Sequence, residues 1–218
     1  LLLVSWQKLA PLILLCFPLS GSKTVSSLLI MVAALNALVG GTLGLNQTHL
    51  RTLLGYSSIT HIGWIIRAMR INSPIISIIY FTLYVVVITP TFFLLHNLSL
   101  TRSTQILSSI LASKTLLLCL RLLLLSLAGL PPLTGFLPKW MIINMLISYN
   151  QLVIILLILG SYINLYFYLN LVFNMITTTL YSPIKSEPSL PAYNIIIIIR
   201  SSSLGMVPIL IYALTLLY

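Results

Sequence analysis

Ser126-Leu127-Ala128-Gly129-Leu130-Pro131-Pro132-Leu133-Thr134-Gly135-Phe136-Leu137-Pro138-Lys139-Trp140 interrupts a long apolar run. Three prolines and two glycines fall between Gly129 and Pro138. Proline removes a backbone donor and clashes with the preceding turn, and glycine weakens a helix, so no continuous helix passes through. Apolar sequence flanks the break, from about Gln105 to Leu130 before it and on to about Ile147 after it. The second piece is too short to cross a bilayer alone, which takes ~20 residues. Together they read as a discontinuous helix, two half-helices joined by an extended peptide at membrane depth, with the break between Gly129 and Pro138. Such backbone is tolerated in a membrane only where it lines a polar cavity, and in transporters it marks an ion path.

The rest of the chain agrees. Its 218 residues are 59% hydrophobic and only 6% charged, with a mean hydropathy of +1.13; soluble domains carry about 25% charged residues. The expected fold is an all-α polytopic membrane helix bundle, residues 1–218 forming a single transmembrane domain of about seven spanning helices. Besides the discontinuous fifth, the spans are Leu1 to about Leu19, Thr24 to Leu45, Leu50 to Ala68, Pro74 to His96 with Pro90 inside as a kink, Gln151 to Leu180, and Tyr193 to Tyr218. Ser20-Gly21-Ser22, Asn46-Gln47-Thr48, Asn72-Ser73-Pro74 and Ser182-Pro183 are the turns. The longest polar loop, Ser182 to Pro191, holds Glu187, the one acidic residue in the chain.

Eleven Lys and Arg against that one acid give a net charge of +10. The cations are scattered singly and form no patch, so nucleic-acid binding is set aside. Cys16 and Cys119 sit in apolar runs and read as small core residues. His49, His61 and His96 lack the spacing of metal ligands. Loops on the side where the first segment begins carry Arg51, Arg102, Lys114 and Lys185, against Lys23, Arg67 and Arg70 on the other, which places the first side on the matrix or cytoplasm. The chain begins with Leu inside an apolar run, and the expectation is that more of the protein lies upstream.

An ionisable group in hydrocarbon is a functional candidate, and four basic residues fall at membrane depth. Lys139 follows Pro138 at the break, where a buried lysine can load and release a proton. Lys8 precedes Pro11 in the first segment and is expected to contact protein helices, not acyl chains. His61 titrates near neutrality and suits a relay; Ser57, Thr60 and Trp64 are expected on its helix face by three- and four-residue spacing. Arg121 cannot usefully give up its proton, and a structural or partner-binding role fits it better. The bland readings are a snorkelling Lys8 or Lys139 at an interface and a packing His61. No nucleophile constellation, phosphate loop, haem or iron–sulfur pattern is present, so redox chemistry belongs to other subunits.

Trp6-Gln7-Lys8-Leu9-Ala10-Pro11, Gly44-Leu45-Asn46-Gln47-Thr48, Tyr56-Ser57-Ser58-Ile59-Thr60-His61-Ile62-Gly63-Trp64 and Gly129 to Trp140, in this order, closely resemble the NADH dehydrogenase subunit 2 family of animal mitochondria; Asn164-Leu165-Tyr166-Phe167-Tyr168-Leu169 also fits. The resemblance runs to about residue 180. It implies an antiporter-like subunit of respiratory complex I, built in the family from two inverted repeats each with a broken helix. Lys8 then falls at the channel lysine of the helix linking the repeats, Lys139 at the lysine of the second broken helix, and His61 on the polar axis between half-channels. It also implies the mitochondrial inner membrane, neighbouring antiporter-like subunits and lipids as partners, and NADH, FMN, iron–sulfur clusters and ubiquinone held by other subunits, with no cofactor bound by this chain. The first repeat, with its lysine and paired glutamate, is missing from this sequence, Ala128 stands where glycine is usual, and Arg67, Arg70 and Arg121 depart from the family pattern. The expected function is proton translocation driven by quinone reduction elsewhere. The rivals are an Mrp-type cation/proton antiporter subunit and a structural scaffold that no longer pumps.

Overall fold

The structure is a computed structural model and describes residues 6–8, 11, 23–70, 74–98, 100–102, 114–131, 133–147 and 151–180. A short 3-10 turn at Trp6–Lys8 is followed by six α-helices: α1 (Lys23–Gly44), α2 (Leu50–Arg70), α3 (Pro74–Asn97), α4 (Lys114–Ala128), α5 (Phe136–Leu146) and α6 (Gln151–Leu180). Three of them are long and apolar enough to cross a membrane, over Ser27–Gly44, Ile75–Asn97 and Gln151–Thr177. Most of the expected first span, the start of the fifth at Gln105, the loop with Glu187 and the seventh span from Tyr193 lie outside the described residues, as does Cys16.

Between helices in lipid there is little hydrophobic drive, so close backbone approach and interhelical hydrogen bonds hold the bundle. α1 supplies the approach through Ala33, Ala37, Gly40 and Gly41. A Cβ at Gly40 would sit 2.7 Å from the Tyr56 carbonyl oxygen and 2.9 Å from the Thr60 nitrogen. One at Gly63 would sit 2.6 Å from the Ala33 carbonyl oxygen, and one at Gly160 would collide with that of Ala37. α1, α2 and α6 therefore pack backbone to backbone. The opposite face of α1 leaves Leu28, Met31 and Leu35 more than half exposed, as suits a lipid-facing surface.

The apolar interior is divided. One cluster joins the start of α2 (Leu50, Leu53, Leu54) to Tyr84, Val87 and Ile88 of α3, to α4 (Leu120, Leu123, Leu124, Leu127), and to Tyr168 and Met175 of α6. The other joins Trp64 and Ile65 of α2 to Ile76 and Tyr80 of α3, to α5 (Met141, Ile142, Leu146), and to Ile154 and Leu157 of α6. Each half of the discontinuous helix packs in its own cluster, and the break lies between them. Cys119 is buried within the first cluster, among its leucines.

The break differs in two ways from the expectation. α4 ends at Ala128 and α5 begins at Phe136, so the non-helical stretch stops at Gly135, and Pro138 and Lys139 are helical. Pro138 is the third residue of α5, in the turn whose N–H groups have no intrahelical partner, so its missing donor costs nothing. The connection is also turned, not extended. Gly129, at φ +87°, closes α4 in a Schellman arrangement: its N–H donates to the Ser126 carbonyl at 3.0 Å and that of Leu130 to the Leu125 carbonyl at 3.4 Å. Two further turns follow, Leu133 N–H to the Leu130 carbonyl and Phe136 N–H to the Leu133 carbonyl. Over the described residues α4 and α5 are 15 and 11 residues long, and α5 alone falls well short of the roughly 30 Å of a hydrocarbon core.

α3 runs continuously through Pro90. Arg51 and Arg102 do come to one end of the bundle, through a backbone bridge between His49 and Arg102. Arg67 corrects the loop assignment: it is a buried residue of α2, not a loop cation.

Candidate functional site

Between the two apolar clusters lies a polar layer built mainly on α2. Ser57, Ser58, Thr60 and His61 are all buried there. Each of the three hydroxyls donates its proton to its own helix three residues back: Ser57 to the Leu54 carbonyl at 2.9 Å, Ser58 to that of Gly55 at 2.6 Å, and Thr60 to that of Ser57 at 2.6 Å. Only their acceptor lone pairs face outward. Each receives one donor from another segment: Ser57 takes the Tyr168 hydroxyl at 2.7 Å, Thr60 the Asn164 amide, and Ser58 the Lys8 ammonium at 2.6 Å.

Lys8, half-buried, is thus tied to α2 from its short 3-10 turn. His61 is reached from the other side: its Nδ1 lies 2.9 Å from the Tyr80 hydroxyl, and its ring centroid 4.9 Å from that of Tyr84. The expected shared face of Ser57, Thr60, His61 and Trp64 therefore divides. Ser57 and Thr60 meet α6 while His61 meets α3, because α2 is enclosed on several sides and a whole arc of it is interior.

Three buried polar atoms of this layer close no hydrogen bond of standard geometry: His61 Nε2, with the Leu127 carbonyl near its ring, the Tyr84 hydroxyl and Asn164 Oδ1. The Tyr84 hydroxyl faces Ser58 without closing a hydrogen bond of standard geometry. Beside His61 and Tyr84 is a cavity of about 20 Å³ with a mostly apolar lining, in which His61, Tyr80, Tyr84 and Ser126 are the polar residues and Gly135 and Pro138 mark the break. That volume admits one water molecule, and the lining offers the polar partners a water needs. The cavity joins His61 to the helix break, where the Ser126 and Thr134 hydroxyls bond across the gap at 3.0 Å.

Lys139 lies on the far side of that break. It is 6% exposed, and its ammonium donates to the Ala128 carbonyl at 3.1 Å. That carbonyl is the last of α4, at the negative end of a helix and outside the Schellman bonds, so a cation is well placed on it. The charges of both Lys139 and Lys8 are near enough to act on His61. Lys8, His61 and Lys139 thus gather in one region of the bundle, with Ser58 and Tyr84 between the first two and the cavity lying between His61 and the helix break that Lys139 caps.

Arg121 is elsewhere. Its guanidinium donates to the Met175 carbonyl of α6 at 2.5 Å, tying α4 to α6. Tyr80, Tyr84, Ser126 and Thr134 were not singled out from the sequence. A hydroxyl residue in an apolar helix carries no mark of what it faces, and Tyr80 is 19 residues from its partner His61.

Residues 1–164 match the family described as NADH:quinone oxidoreductase/Mrp antiporter, TM. The chain is 47% identical over 174 residues to NADH-ubiquinone oxidoreductase chain 2 of Lumbricus terrestris, covering 79% of this chain and 51% of that one. It is 37% identical over 219 residues to the chain of the same name from Osphranter robustus, covering 96% and 62%. This chain therefore spans between about half and three-fifths of the length of those relatives. Among solved structures, respiratory complex I from Thermus thermophilus with bound aureothin contains a chain that superposes with a TM-score of 0.69 at 24% identity, over 83% of this chain and 43% of that one. That likeness concerns the fold, a multi-pass bundle of the antiporter kind. With three quarters of its length inside the family match, the chain belongs to the NADH:quinone oxidoreductase/Mrp antiporter transmembrane family.

Proposed function

We propose that this chain carries a proton half-channel in the membrane arm of an NADH:ubiquinone oxidoreductase of the mitochondrial inner membrane. The observation that supports the reading is that Lys8, His61 and Lys139 gather in one region, with Ser58 and Tyr84 between the first two and a water-sized cavity between His61 and the break beside Lys139. A lysine and a histidine that exchange a proton need hydroxyls or water between them, in a site dry enough for their charges to matter, and the layer supplies both. The proton would pass between Lys8 and Ser58, reach His61, and cross the cavity to the break, where Lys139 takes it up or releases it. No redox step falls to these residues. Electron transfer from NADH through FMN and iron–sulfur clusters to ubiquinone belongs to other subunits, and drives this chain by changing charge or hydration at the layer. Residues 1–218 form one transmembrane domain of about seven spans in this reading, with other antiporter-like subunits and lipids as neighbours.

Mrp-type antiport shares the family. The animal relatives, all named as chain 2 of NADH-ubiquinone oxidoreductase, favour the respiratory reading.

The test is Lys139→Arg in the assembled complex. Arginine holds its charge and cannot hand over a proton, so proton pumping and quinone reduction fall while NADH oxidation with an artificial acceptor persists. Unchanged pumping in a fully assembled Lys139→Arg complex overturns the reading.

A further inference from the structure

Ser58 holds Lys8 while spending its own proton on the Gly55 carbonyl. In that arrangement the serine can take hydrogen bonds from the lysine but passes nothing on, because its hydroxyl hydrogen points into the backbone. A relay from Lys8 needs the Ser58 hydroxyl to turn toward another acceptor. The group it faces is Tyr84, whose hydroxyl is buried and without a partner.

A buried hydroxyl left unpaired costs free energy. Ser57 and Thr60, which share the same back-bonded geometry, have their outward positions filled by Tyr168 and Asn164. The Tyr168 contact leaves no acceptor waiting at Ser57, while at Thr60 the buried Asn164 Oδ1 remains without a partner. At Ser58 an acceptor waits as well, and on its far side the Tyr84 ring stands against that of His61, whose Nε2 closes no hydrogen bond of standard geometry although the Leu127 carbonyl lies near the ring. Two orphan polar atoms in succession, bordering a cavity of about 20 Å³, are what an interrupted hydrogen-bond chain leaves behind.

We propose that Ser58 and Tyr84 form a hydroxyl switch that opens and closes the proton connection between Lys8 and His61. With Ser58 on the Gly55 carbonyl the connection is open-circuit. With Ser58 rotated onto the Tyr84 oxygen, and Tyr84 directed to His61 Nε2 or to a water in the cavity, it is complete. Transfer then breaks an N–H bond of the Lys8 ammonium and forms an O–H bond on Ser58. The original Ser58 proton moves to the Tyr84 oxygen, and the Tyr84 proton moves to His61 Nε2, directly or through the water. Lys8 ends neutral, His61 ends as the imidazolium, and both hydroxyls are restored. The inference rests on the proposed proton half-channel and names two residues within it.

The test uses the assembled complex in proteoliposomes, with Tyr84→Phe, Ser58→Ala and both together. Phenylalanine removes only an atom that has no partner, so Tyr84→Phe assembles in full amount and keeps NADH oxidation with an artificial acceptor. Its coupled proton delivery slows about a hundredfold, the lower end of what a positioned proton donor contributes. Two residues in series are non-additive, so the double variant is no slower than either single one. Lys8→Ala and Lys139→Ala separate the two readings. If both lysine variants stop pumping while Tyr84→Phe pumps at the normal rate, or if the Tyr84 and Ser58 effects multiply, the switch is overturned and the half-channel stands. If the lysine variants pump normally, both fall.

Discussion

Gly129 is where the helix break and the buried lysine constrain each other, and replacing it by alanine perturbs both. The left-handed conformation at φ +87° costs an L residue roughly 1–2 kcal/mol. That strain cannot relax without undoing the Schellman bonds to Leu125 and Ser126. The new methyl would also stand 2.8 Å from Lys139 Nζ and 3.3 Å from its Cδ and Cε. Those atoms are the movable end of a long side chain, so the lysine gives way. What it loses is its hydrogen bond to the Ala128 carbonyl, worth about 1.5–3 kcal/mol for a charged donor. The two effects separate by a second variant. Asparagine tolerates the left-handed region far better but still carries a Cβ, so Gly129→Asn keeps the collision and removes most of the strain. The assay is complex assembly on native gels, beside proton pumping and NADH:ubiquinone reductase activity in proteoliposomes. Gly129→Ala lowers assembly and pumping together, whereas Gly129→Asn assembles nearly normally and pumps poorly. A Gly129→Asn complex that pumps at the wild-type rate refutes the claim that the lysine's place on the Ala128 carbonyl matters to transport.

Gly135→Ala places a methyl on the Ser126 carbonyl oxygen, a backbone atom that cannot swing away; this variant fails to assemble, and normal amounts on a native gel would show that the two sides of the break are not so close. Arg121→Gln removes the tie from α4 to the Met175 carbonyl and lowers the thermal midpoint of the purified complex, at a cost of about 1.5–3 kcal/mol, with protons pumped per NADH unchanged; a loss of pumping at full assembly would assign Arg121 to the transport route instead.

The break was legible because composition forbids helix there: three prolines and two glycines among residues 129 to 138 leave no alternative. Its edges were less so. Pro138 counts as a helix breaker in composition, yet at the third position of α5 it is tolerated within the first turn, and which of the two applies depends on where the preceding turn ends. Lys8, His61 and Lys139 stood out because ionisable residues are rare in apolar runs. Their connections did not, since serine, threonine and tyrosine look alike whether they face lipid or each other. Tyr168 reaches Ser57 across 111 residues and Asn164 reaches Thr60 across 104, contacts set by helix packing alone. Glycine spacing in α1 was the unused signal: Gly40 and Gly41, with Gly63 and Gly160, mark the seam that brings α6 close enough to bond to α2.

The position of Lys139 also bears on why the break takes this form. A continuous helix would bond the Ala128 carbonyl internally and leave the lysine no acceptor at this depth. The break frees that carbonyl, and the turn at Gly129 aims it at Nζ. In the charged state the bond is charge-assisted and roughly twice as strong as a neutral one. Deprotonation leaves an amine that still donates, so the contact weakens without vanishing. The closure of α4 and the protonation of Lys139 are therefore linked: whatever pulls the two half-helices apart favours the neutral amine, and whatever removes the proton loosens the break. The adjoining cavity is lined by Ser126, Gly135 and Pro138 from both sides of the break, so in the proposed half-channel that same movement would change it. In the proposed half-channel, one small rearrangement would thereby change both the charge on the lysine and the space between the break and His61, the coupled change that alternating access to the two sides of a membrane requires.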